Sequence, residues 1–161
     1  QWAWWQWLVG ACLWPVVVVL IVLRVRRLGP WPERMRPSVF VLVAPPSVVG
    51  LGLLLWSAPV VWSLACWVLA LVTLMVAFSQ LPRCLEQAFA MPLWSLSFPL
   101  AAFASLSLRL SQAGVLPGVL ALMALALASV VIAMLLRWTF WGLRSGQLLQ
   151  AEPQPAAAAR P

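Results

Sequence analysis

Trp94-Ser95-Leu96-Ser97-Phe98-Pro99-Leu100-Ala101-Ala102 lies inside an apolar run, Leu93–Leu108, that contains no acid, lysine or histidine. A bulky ring, two hydroxyls and a proline therefore stand at about one depth of a segment near bilayer length, for which about 20 residues are needed. That grouping suits the wall of a narrow, uncharged passage better than a catalytic centre.

Four further apolar runs of similar length surround it: Trp7–Leu23, Ser38–Leu55, Pro59–Phe78 and Leu116–Leu136. Five such runs in succession are not the pattern of a soluble protein's buried helices. Of the 161 residues 65% are hydrophobic and 8% charged, and mean hydropathy is +1.01. A soluble domain of this size buries only about two-thirds of the surface its chain exposes, too little to hide so much apolar area. The expected fold is all-α and integral to the membrane, with a transmembrane helical domain over 1–146. The 12 tryptophans, many near span ends, fit aromatic belts at the two interfaces. The Ala/Pro/Gln-rich segment 147–161 cannot bury enough apolar area to order itself and is expected to be a disordered cytoplasmic tail.

Missing residue types narrow the function. There is no His, Asp, Lys, Tyr or Asn, and the only acids are Glu33, Glu86 and Glu152. A proton relay, a carboxylate dyad or the usual metal site needs groups this chain lacks, so neither an enzyme nor a metal or cofactor site is expected. Cys12, Cys66 and Cys84 have no CxxC spacing and read as small packing residues. The net charge of +7 is not a nucleic-acid face, because the arginines fall between spans, where they act as topology determinants.

Arginine placement sets an orientation. The link after the first span holds Arg24, Arg26, Arg27, Arg34 and Arg36; the third link holds Arg83, and the C-terminal flank Arg137 and Arg144. Only Arg109 falls on the other side. The positive-inside rule then puts the first residues outside and the C-terminus in the cytoplasm. Gln1 is not Met and no charged region precedes the first run, which reads as a chain lacking its N-terminal part rather than as a signal peptide.

The spans differ in kind. The third and fifth are rich in Leu, Val and Ala, as outer helices should be, whereas the second and fourth carry the small and helix-breaking residues. Pro45, Pro46, Ser47 and Gly50 mark the second; Ser95, Pro99, Ala102 and Ser105 mark the fourth. The pattern is one helix followed by two hairpins, with Pro45 and Pro99 54 residues apart. Proline inside a helix removes a backbone donor and frees the carbonyl four residues back, so kinks are expected at both places. Phe98, Ala101, Ala102 and Ser105 share one helical face by their spacing, which forms either a constriction under one large ring or a helix-packing surface.

The segment Arg36-Pro37-Ser38-Val39-Phe40-Val41-Leu42-Val43-Ala44-Pro45-Pro46-Ser47 resembles the opening of the seventh helix in the tellurite-resistance/dicarboxylate transporter family, which includes the plant slow-type anion channels. The stretch from Trp94 to Ala102 resembles that family's ninth-helix motif, ending in Phe-Pro. The resemblance runs from about Trp7 to Gly142. It implies helices six to ten of a ten-helix, five-hairpin pore, a homotrimer in the bacterial inner membrane, and Phe98 at the position of the gating phenylalanine. Many members carry an aromatic pair before that phenylalanine; here only Trp94 remains. The function implied is transmembrane movement of small anions, either monovalent anions or four-carbon dicarboxylates such as malate, with lipid and a homotrimer as partners. The rival is a non-transporting membrane anchor or scaffold, for which uniform Leu-rich spans would be the more usual pattern.

Overall fold

The computed structural model describes residues 2–29, 40–85 and 91–146, and every regular element among them is helical. The helices are α1 (Trp2–Leu28), α2 (Ala44–Leu55), α3 (Val60–Leu85), α4 (Ser97–Gln112) and α5 (Gly118–Arg144). A 3₁₀ turn over 40–43 leads into α2, and another, Met91–Leu96, leads into α4. Four stretches are long and apolar enough to cross a bilayer: Trp2–Leu28, Val60–Pro82, Leu93–Gln112 and Gly118–Arg144. Phe40–Leu55 is apolar but shorter. Ser38 and the expected tail 147–161 lie outside the described residues.

The prolines sit differently from a mid-span kink. Pro45 and Pro46 are the second and third residues of α2, and Pro99 is the third residue of α4. The first four N–H groups of a helix have no intrahelical partner, so a proline there gives up no bond and its fixed φ suits the helix start. Each span therefore changes from 3₁₀ to α winding at its proline instead of bending in mid-helix. A serine finishes each junction. Ser47 Oγ donates to the Val43 carbonyl at 2.9 Å, and Ser97 Oγ donates to the Trp94 carbonyl at 2.8 Å.

Two hairpins, α2–α3 and α4–α5, are closed by matching turns. The amide of Ala58 bonds the Leu53 carbonyl and that of Ser57 bonds Leu54; likewise Val115 bonds Leu110 and Gly114 bonds Ser111. This is the helix-ending pattern that needs a left-handed residue. Gly114 supplies it at φ +73°, whereas Ser57 holds φ +54° with a side chain. Pro59 and Pro117 follow, one residue before the next helix begins.

α4 is the centre of the molecule, packed on α2, α3 and α5, with Leu100, Leu106 and Leu110 almost wholly enclosed. α2 packs on α1, α3 and α4. The starts of α2 and α4 lie together, and further along a Cβ built on Gly50 would stand 2.9 Å from Leu106 and 3.0 Å from Cys66 Cβ. α2 and α4 therefore run parallel, and Gly50 is where α2 closes on both α3 and α4. Small residues allow such approach between membrane helices.

Indole N–H groups tie the helices across the apolar interior. Trp67 Nε1 on α3 donates to Ser107 Oγ on α4 at 2.8 Å, and Trp94 Nε1 donates to Thr139 Oγ1 on α5 at 3.0 Å. Each accepting hydroxyl passes its own proton to the carbonyl four residues back, Phe103 and Leu135. Every polar atom in these chains is thus satisfied, as hydrocarbon requires.

α1 is the outlier. None of its residues is buried and its main contact is α2. Trp7 lies across Gly52, occupying the space a side chain would fill, with Nε1 directed at the Val48 carbonyl at 3.4 Å. Trp4, Trp7 and Trp56 form an aromatic cluster with centroids 4.7–5.5 Å apart. The first turns of α1 therefore sit beside the α2–α3 turn, at the end opposite Arg26 and Arg27.

Candidate functional site

A groove of about 570 Å³ runs between α1, α2 and the start of α4. From α2 and the 3₁₀ turn before it the groove takes Val41, Ala44, Pro45 and Val48; from α4 and the turn before it, Ser95, Phe98 and Pro99; and from α1, Gln6, Trp7, Gly10, Ala11 and Trp14. Of the residues singled out in the sequence, Pro45, Ser95, Phe98 and Pro99 are thus brought to one place by two helices that enter it in parallel.

The remaining ones take other positions. Pro46 and Ser47 are enclosed, Ser47 by its bond to Val43, and Gly50 is filled from outside by Leu106 and Cys66. Ala102, 7% exposed, turns into the packing of α4, while Ser105 is exposed and donates to the Ala101 carbonyl at 2.8 Å. The face expected to hold Phe98, Ala101, Ala102 and Ser105 is in fact an open stripe through Phe98 and Ser105, with Ala102 at its buried edge.

Phe98 is 63% exposed and its ring stands on the groove. Phe103, on the opposite side of the same helix, is 5% exposed and stacks on Trp67 with centroids 5.7 Å apart. The helix puts one ring on the groove and one in the core because five residues amount to about 500°, or 140° beyond a full turn.

Among the described residues the groove carries no charged side chain, so none of them can hold an ion by a full opposite charge. Among the described residues no three His, Cys, Asp or Glu come together as metal ligands. Its polar groups are the Gln6 amide, the Ser95 hydroxyl and the indole N–H groups of Trp7 and Trp14; Trp14 Nε1 is enclosed with no hydrogen-bond acceptor. The α1 wall was not legible beforehand. Its signal is the clustering of Gly10, Ala11, Cys12 and Pro15 in a span otherwise made of Trp, Leu, Val and Ile.

An all-helical, multi-pass membrane protein with an uncharged groove between paired helices is the class these features define. The chain belongs to the voltage-dependent anion channel family, whose model matches residues 1–141. This is the family that the two Pro-containing segments resemble, a family of anion-moving membrane proteins and not of enzymes. No curated protein and no solved structure matches the chain.

Proposed function

We propose that this chain forms helices six to ten of a ten-helix, five-hairpin pore that carries small anions, with Phe98 as its gate. The observation that carries the reading is the meeting of Phe98, Pro99, Ser95 and Pro45 on one uncharged groove. Anions of one charge, or four-carbon dicarboxylates such as malate, pass along Phe98 and Ser105. Pro46, Ser47, Gly50 and Ala102 hold the wall in shape by packing. Three copies assemble in a bacterial inner membrane, each chain starting outside and ending in the cytoplasm.

In this reading the ring of Phe98 obstructs an apolar constriction, and its removal admits water. Phe98→Ala in the ten-helix protein that contains this chain, reconstituted in vesicles, is expected to raise anion flux per folded protein. Phe103→Ala, altered at a buried ring, is expected to lower the folded fraction and leave flux per folded protein unchanged. A Phe98→Ala protein that folds normally and conducts no better sinks the gate. Reversal potentials in nitrate, chloride and malate gradients then identify the anion carried.

A further inference from the structure

We propose that Arg109 is a fixed positive charge at one mouth of the passage, concentrating anions there and turning cations away. The proposal rests on the passage reading above and adds to it a residue that sets charge preference.

The observation is the uncovered surface of α4. Its exposed residues are Phe98, Ser105, Arg109 and Gln112, and the rest of the helix is buried or half-buried. They follow Phe98 by seven, eleven and fourteen positions, so at about 100° per residue they fall within one sector about 60° wide. α4 therefore has a single open stripe, with Phe98 at one end and Arg109 about 16 Å along the axis from it.

The chemistry of that stripe separates it from a lipid-facing surface. Between Val61 and Val76 the exposed residues of α3 are all apolar, and between Val119 and Leu136 those of α5 are apolar but for Ser129. Those faces match hydrocarbon. The stripe on α4 instead offers a hydroxyl, a guanidinium and an amide, on the helix that is otherwise the most enclosed. Polar groups at membrane depth face water or protein rather than lipid. The stripe starts at the groove, so it continues the groove's wall outward.

The charge stands alone at its end. Arg26 and Arg27 close α1, Arg144 closes α5, and Trp94 bonding Thr139 places that end of α5 beside the start of α4. Arg109 lies in the last turn of α4, at the opposite end. The two turns at that end, 56–59 and 113–117, contain no charged residue, and Glu33, Glu86 and Glu152 all fall in other segments. No carboxylate of these turns offsets the guanidinium, so its field reaches any ion approaching the stripe. A positive side chain also suits the negative end of a helix, and that role predicts a loss of folding without any change in ion preference.

The test uses the ten-helix protein that contains this chain, in vesicles, with anion flux per folded protein measured in about 10 mM and about 1 M salt, where the screening length is about 30 Å and 3 Å. Arg109→Glu is expected to lower flux about three- to tenfold in the dilute salt, narrowing to within about twofold in the concentrated one. Arg109→Lys keeps wild-type flux. To separate charge from folding, Arg109→Cys is made with Cys12, Cys66 and Cys84 changed to Ser and is labelled after reconstitution. A cationic thiol reagent restores dilute-salt flux and an anionic one suppresses it, each from one bath only. Wild-type flux with no dependence on the charge at position 109, in either salt, overturns the assignment alone. A wild-type protein that moves no anion overturns the passage itself, and the role of Arg109 with it.

Discussion

Phe98 and Phe103 are five residues apart, yet substitution at the two has unlike consequences. Phe103 is enclosed against Trp67, so Phe103→Ala leaves a cavity and is expected to cost about 3–5 kcal/mol in unfolding from detergent. Phe98 has most of its ring uncovered, and the same truncation there should cost less than about 1 kcal/mol by the same measurement. Equal losses at the two positions would contradict the burial difference. Ser57 offers a change of opposite sign. It holds the left-handed conformation that Gly114 holds in the matching turn, and a side chain there costs about 1–2 kcal/mol. Ser57→Gly is expected to raise the midpoint of thermal unfolding, and Gly114→Ser to lower it.

Between elements, Gly50 is a close join, where α2 closes on Leu106 and Cys66. Leu106 can swing aside at its tip, but Cys66 Cβ is fixed to the α3 backbone. Gly50→Leu must push α2 away from α3 and is expected to destabilise the protein by about 1–3 kcal/mol. Ala in place of Leu should cost less, and equal folding of all three proteins would show the join to be loose. The pairing of helices was legible in the sequence, because apolar runs and small residues reflect solvent and close approach directly. Pro45 and Pro99 also announced where the two inner spans change character. The form of that change was not legible: proline's missing donor is compatible with a bent helix or a helix start, and only the 3₁₀ turns before α2 and α4 decide between them. The bonds from Trp67 to Ser107 and from Trp94 to Thr139 join residues 40 and 45 positions apart, and periodicity within a span carries no signal for them. Arg109 stood out by its side, but its place on the stripe of Phe98 needed the packed faces of α4.

For the molecule as a whole, the arginine-rich end and the aromatic cluster at the other end define two membrane faces. With the native cysteines replaced, cysteines placed at Ser57 and Gly114 are expected to react with an impermeant reagent from one bath, and one at Gly146 from the other. Labelling of Ser57 and Gly146 from the same bath would break the arrangement of α3, α4 and α5 between them. α1 is held chiefly by Trp7 over Gly52 and by the cluster with Trp56, so its attachment is local, whereas the hairpins share an extended core through α4.

The prolines at the two helix starts have one more effect. Pro45, Pro46 and Pro99 stand where a helix would otherwise present free amide protons, and Pro45 and Pro99 face the groove. A bare helix start captures anions through those protons together with its positive end. Here three of the protons are missing, so in the proposed passage an ion beside α2 and α4 meets the positive helix ends without being clasped by those amides. If the passage lies there, short dwell times at that depth are expected from the backbone itself, before any side chain has a part in them.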